Sequence, residues 1–149
     1  MSEKKKLSAR AYLNQLQVID NNINDDIARL SEMKMKAVSS GAIDYSKDHV
    51  QTSPAGDKLC SDVSRYLDFD AKINAEIDRF VDAKEQIIRE IRELRVNNYV
   101  QLLYKVYVQY KSLKVASQEM KLSYSYVTEV HKKALTAFEE THKNLYYLT

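Results

Sequence analysis

The chain has no tryptophan, one proline, two glycines and one cysteine among its 149 residues. Tight turns and strand bends draw on glycine and proline, so this scarcity excludes a β-rich fold and points to an all-α one. A lone cysteine, Cys60, leaves no partner for an intramolecular disulfide and fits a reducing compartment. No apolar run reaches the ~20 residues that a membrane-crossing helix needs. The opening MSEKKKLSAR is charged and no apolar run follows it, so no secretory signal is expected. The expected location is the cytoplasm.

What is present is charge and helical periodicity. Lys and Arg number 23 against 21 Asp and Glu, for a net charge of +2. The excess is uneven. Residues 97–149 hold seven Lys against four acidic residues, net +3. Residues 57–96 hold eight basic against ten acidic, net −2, and residues 1–56 eight against seven, net +1. A basic C-terminal part suits a polyanionic partner at that end.

Residues 7–38 repeat every seven positions. One seam position reads Ala9, Leu16, Ile23, Leu30, Ala37, and the other Tyr12, Ile19, Asp26, Met33. This pattern predicts a long amphipathic helix, with Ser8 as its N-cap. Residues 39–56 contain both glycines, the proline and four serines, and read as a loop. Residues 57–96 resume the repeat through Leu59, Tyr66, Ile73, Phe80, Ile87, Leu94 and through Val63, Asp70, Ile77, Lys84, Ile91. Two such helices joined by one loop are expected to fold back as an antiparallel, coiled-coil-like hairpin. Opposing Val38 and Asp57 brings Asp26 level with Asp70 and Tyr12 near Lys84. The polar seam residues then face outward, pair with charged neighbours, or fix the register. A two-helix hairpin has a thin core, so residues 1–96 are expected to form a homodimer or dock a protein partner.

The seam stops near Val96-Asn97-Asn98, where an asparagine cap is expected. A helix is expected from about Asn98 to Tyr110, with Tyr99, Leu102, Leu103, Val106 and Tyr110 on one side. Ser112 then caps a short helix to Met120, and Ser123 a last helix that could run to the chain end through Leu145. The stretch Ser112–Leu135 therefore reads as a helix-turn-helix. Ala116, Ser117, Met120, Leu122, Val127, Ala134 and Leu135 point inward. Tyr124, Ser125, Thr128, Glu129 and Lys132 are exposed at the start of the second helix, where such motifs meet base edges. Lys111, Ser112, Lys114, Lys121, Ser123 and Lys133 flank them as candidate phosphate contacts. Tyr126 is expected to be partly buried. Tyr99, Tyr104, Tyr107 and Tyr110 recur at helical spacing, which predicts core or rim.

The register Ser112, Ala116-Ser117, Met120, Leu122-Ser123, Val127, Ala134-Leu135 resembles the C-terminal helix-turn-helix of bacterial sigma factors (region four). The whole chain resembles small phage and prophage late-transcription regulators of the ArpU and RinA type. These join a helical N-terminal part to such a module, and Leu103 and Tyr107 match their preceding helix. The likeness is strongest over residues 97–139. Three positions depart from it: Lys121 stands where glycine is usual, Tyr124 where arginine is common, and His131 where an apolar residue is common. The resemblance implies a regulator that binds double-stranded DNA in a bacterial host cell, with RNA polymerase or another phage regulator as a further partner. Two other readings are a DNA-packaging adaptor resembling a small terminase subunit and a helical interaction module without DNA binding.

Nothing in the chain suggests an enzyme. His49, His131 and His142 lack metal-ligand spacing to a third ligand, Cys60 has no activating partner, and no Gly-rich phosphate loop is present. The acidic group Asp20, Asp25 and Asp26 reads as solvated surface. No metal and no cofactor are expected.

Overall fold

In the computed structural model the described residues are 4–40 and 54–148, with the side chains at 39, 40 and 54–59 left aside. Residues 41–53, which carry most of the expected loop, lie outside that description, as does the side chain of Leu59. All described elements are helical: α1 (Ala9–Ser40), α2 (Pro54–Arg92), α3 (Asn97–Leu103), a π-helical turn (Tyr104–Val108), α4 (Leu113–Met120) and α5 (Tyr124–Thr141). No described helix is long and apolar enough to cross a membrane.

The start of α1 is fixed from two directions. The Ser8 hydroxyl accepts from the Ala11 N–H at 3.2 Å, and Glu139 Oε1 from the Ala9 N–H at 2.9 Å. Two of the helix's orphan donors are thus satisfied, one of them by a residue 130 positions away. α2 opens at Pro54, three residues before the expected start at 57. Proline suits a first helical position, where its missing N–H would have no partner anyway.

The described residues fall into two compact units, one formed up to Asp20 and from Arg79 onward, the other from Asn21 to Asp78. In the first, Ala9, Tyr12, Leu13 and Leu16 of α1 share one core with Ala83, Ile87 and Ile91 of α2. The same core takes in Leu94, Leu103, Tyr107, Val108, Ala134, Phe138 and Leu145. A smaller cluster joins Leu102, Ala116, Val127 and Val130, covered by Tyr99, Val106, Leu113, Met120 and Leu122.

Several local expectations are corrected here. Val96 is the N-cap of α3, extended at φ −91° and ψ 113° and with no side-chain cap, so Asn97 and Asn98 lie within the first turn. Extended backbone suits a β-branched residue, and the Val100 N–H closes the turn on the Val96 carbonyl at 3.0 Å. The helix expected as far as Tyr110 widens into the π turn. That turn lets residues five apart, Leu102 with Tyr107 and Leu103 with Val108, all reach buried positions, where a regular α-helix would splay each pair.

α5 stops at Thr141 instead of running through Leu145. The His142 ring is held by the Glu90 carbonyl at 2.9 Å and the Glu93 carboxylate at 3.5 Å. The following segment returns to α1: the Leu7 N–H donates to the Leu145 carbonyl (2.7 Å) and the Leu148 N–H to Gln15 Oε1 (2.9 Å). Tyr12 meets Glu90, not Lys84; its hydroxyl lies 2.8 and 2.9 Å from the two carboxylate oxygens. The hydroxyl donates a charge-assisted hydrogen bond to the carboxylate.

In the second unit Ile23 and Ile73 are buried. The Arg29 guanidinium lies 5.2 Å from the centre of the Phe69 ring and pairs with Asp26 at 3.7 Å. Ile27, Met35, Val38, Val63 and Leu67 stay exposed.

Candidate nucleic-acid interface

The link between α4 and α5 is three residues, Lys121 to Ser123. Lys121 takes the left-handed conformation, φ 57° and ψ 40°. Its N–H bonds to the Gln118 carbonyl (3.2 Å) and the Leu122 N–H to that of Ser117 (3.0 Å). This Schellman pattern ends α4 and sends the chain back across it. A lysine held there costs roughly 1 kcal/mol relative to glycine. Ser112 and Ser123 cap their helices by accepting from Val115 N and Tyr126 N, each at 3.2 Å.

α5 divides cleanly. Val127, Val130, His131, Ala134 and Phe138 are buried. Tyr124, Ser125, Glu129, Lys132 and Lys133 are exposed, and Thr128 is half-buried with its hydroxyl donated to the Tyr124 carbonyl at 2.9 Å. The inward set expected for this stretch is inward: Ala116 and Ser117 are buried, while Met120, Leu122 and Leu135 are half-buried. Tyr126 is a correction, being 47% exposed. As an early residue of α5, its side chain leans toward the open N-terminal end of the helix.

The flanking cations separate into two groups. Lys114, Lys121, Lys132 and Lys133 are exposed, and among the described residues no carboxylate pairs with them. Lys111 is engaged: its Nζ lies 2.7 and 2.9 Å from the two oxygens of Glu119. Lys105, which the sequence alone did not single out, reaches the same carboxylate at 3.4 Å. The hydrogen bond from Lys111, more than any other influence, holds the Glu119 carboxyl below the usual carboxylate range.

Behind α5, the Tyr107 hydroxyl lies 2.7 Å from His131 Nε2 and the rings stack at 5.8 Å. Burial, and then the Arg10 cation, push the imidazole below its ordinary pKa. Burial also raises the Tyr107 phenol, opposed by Arg10. His131 is thus a buried structural partner, and its place in α5 is explained by a hydroxyl on the π turn. Among the described residues no group of three metal-ligating side chains comes together. The chain matches no protein-family model, no curated protein and no solved structure.

Proposed function

We propose that this chain is a DNA-binding transcriptional regulator of phage type, not an enzyme. Its α4–α5 pair acts as a helix-turn-helix and α5 enters the major groove. The observation that carries this reading is the two-faced α5. Its apolar side is sealed against α3 and α4, while Tyr124, Ser125, Glu129 and Lys132 face outward beside the exposed Lys114, Lys121 and Lys133. A helix that presents hydrogen-bonding side chains between cations has what direct readout requires. Ser112 and Ser123 accept from backbone N–H groups, which leaves their hydroxyl protons free to donate to phosphate oxygens. Alanine at Glu129 or Lys132 should narrow the gap between preferred and random duplexes, while alanine at Lys114 or Lys133 should weaken binding to both alike. An equal effect of both sets on preferred and random DNA would remove the assignment of α5 as the reading element.

The same proposal makes α1 and α2 an antiparallel hairpin that dimerises the protein or docks RNA polymerase or another regulator. Support comes from the exposed apolar side chains Ile27, Met35, Val38, Val63 and Leu67, more than a solvated helix pair needs. Two copies would present two reading helices to a two-part site. The cytoplasm of a bacterial host follows as the place of action.

A second reading keeps the motif and drops the DNA. Tyr124, Tyr126 and Val115 are 57%, 47% and 41% exposed, and aromatic side chains of this kind anchor protein interfaces. Tyr124→Ala and Tyr126→Ala separate the two readings: loss of a protein partner with DNA binding intact favours the second.

A further inference from the structure

We infer that Lys105 and Lys111 form a binding site for one backbone phosphate of duplex DNA, and that Glu119 occupies this site until the phosphate displaces it. This inference rests on the DNA-binding reading above. Three observations carry it. First, the chain is built to bring the two lysines together. After the π turn, Tyr110 adopts φ 59° and folds the backbone over, so that the Lys111 N–H donates to the Lys105 carbonyl at 3.0 Å. Second, the two ammonium groups converge on a single acceptor, with Nζ to oxygen distances of 2.7 and 2.9 Å from Lys111 and 3.4 Å from Lys105. Two cations around two oxygens of one anion is also how a phosphodiester's non-bridging oxygens are held. Third, the occupant is easily exchanged. Glu119 is exposed beside two half-buried lysines, so a competing anion can reach the site from the solvent side.

The position suits the ligand. Lys111 immediately precedes Ser112, the cap of α4, and in a helix-turn-helix the first helix crosses the DNA backbone. The carboxylate therefore acts as an internal competitor. It holds the lysines in a phosphate-ready arrangement and removes them from the count of cations that bind DNA in the resting protein.

Binding of a labelled duplex of arbitrary sequence to the full chain, followed by fluorescence anisotropy, tests this. With Glu119→Gln the complex at about 50 mM salt should tighten about tenfold, because the phosphate no longer has to displace a carboxylate from the two lysines. Glu119→Ser should act in the same direction, so the result does not hang on one side chain. Lys105→Gln with Lys111→Gln, added to Glu119→Gln, should return affinity to the wild-type value or below. Glu140→Gln, an equal charge change at the exposed far end of α5, should do little. Wild-type binding that is unaltered by Glu119→Gln, or equally enhanced by Glu140→Gln, overturns the masked site and leaves the DNA reading standing. No binding by any of the proteins overturns both.

Discussion

The Tyr107 hydroxyl and His131 Nε2 stand 2.7 Å apart in the interior, joining the π turn to the helix proposed to read DNA. The pKa of the imidazole is lowered there by burial and then by Arg10. The unfolded chain takes up a proton near pH 6.5 that the folded chain resists. Stability from this group is therefore complete above that pH and is lost as the pH falls below it. Urea unfolding between about pH 8 and about pH 5 should show the loss, and His131→Gln, which keeps a partner for the phenol, should flatten it. A profile for His131→Gln as steep as the wild type would place the acid sensitivity elsewhere.

The same pair predicts strong coupling. His131→Leu takes the Nε2 partner from a buried phenol that keeps the Arg10 side chain beside it, and should cost about 0.5–1.5 kcal/mol, the range for one hydrogen bond. Adding Tyr107→Phe removes the weakened hydroxyl and should recover part of that cost. Strict additivity in a double-mutant cycle would mean that the two side chains do not interact.

Tyr12 and Glu90 should matter more than their position near the chain start suggests. The tyrosine is 1% exposed, and its phenol binds a carboxylate that also accepts from Gln86 at 2.9 Å. Burial, and next the Glu90 hydrogen bond, push the phenol's pKa upward. Tyr12→Phe should cost about 1.5–3 kcal/mol in urea unfolding, the range for hydrogen bonds to charged groups. Arg29→Ala, which breaks a half-exposed pair at 3.7 Å and removes the cation over the Phe69 ring, should cost about 0.5–1.5 kcal/mol.

Much of this fold is legible in residue order alone. The heptad positions Leu16, Ile73, Ile87 and Ile91 are buried as the repeat predicts, and Ser8, Ser112 and Ser123 cap their helices. Ala116, Ser117, Val127 and Ala134 face inward as their spacing requires. What the sequence conceals is long-range. The carboxylate of Glu139 at the start of α1, the return of Leu145 to Leu7 and the reach of Tyr12 to Glu90 join residues far apart in the chain, and no local period records them. The π turn is hidden for a related reason, because Leu102, Leu103, Tyr107 and Val108 fit a helical period until the core demands both pairs. In the candidate site, exposure follows from the period. The pairing of Lys111 with Glu119 does not, since it depends on the left-handed turn at Tyr110.

Lys121→Gly should separate stability from binding. Glycine takes the left-handed conformation without the side-chain clash, so the variant should gain up to ~1 kcal/mol in thermal unfolding. It also loses a proposed phosphate contact, so its salt slope for DNA should become shallower by ~0.9. A variant that is stabilised but binds with an unchanged slope would take Lys121 off the DNA.

The measurement that bears most directly on the proposed function is the salt dependence of duplex DNA binding by the unmodified chain. Contact with about four phosphates gives a log–log slope near −3.6, from −0.9 per phosphate. A slope close to that value, made shallower by Lys114→Ala and by Lys133→Ala, is the predicted result. Absence of binding at about 50 mM salt, or binding that salt does not weaken, would contradict the proposal that α5 and its flanking lysines meet DNA.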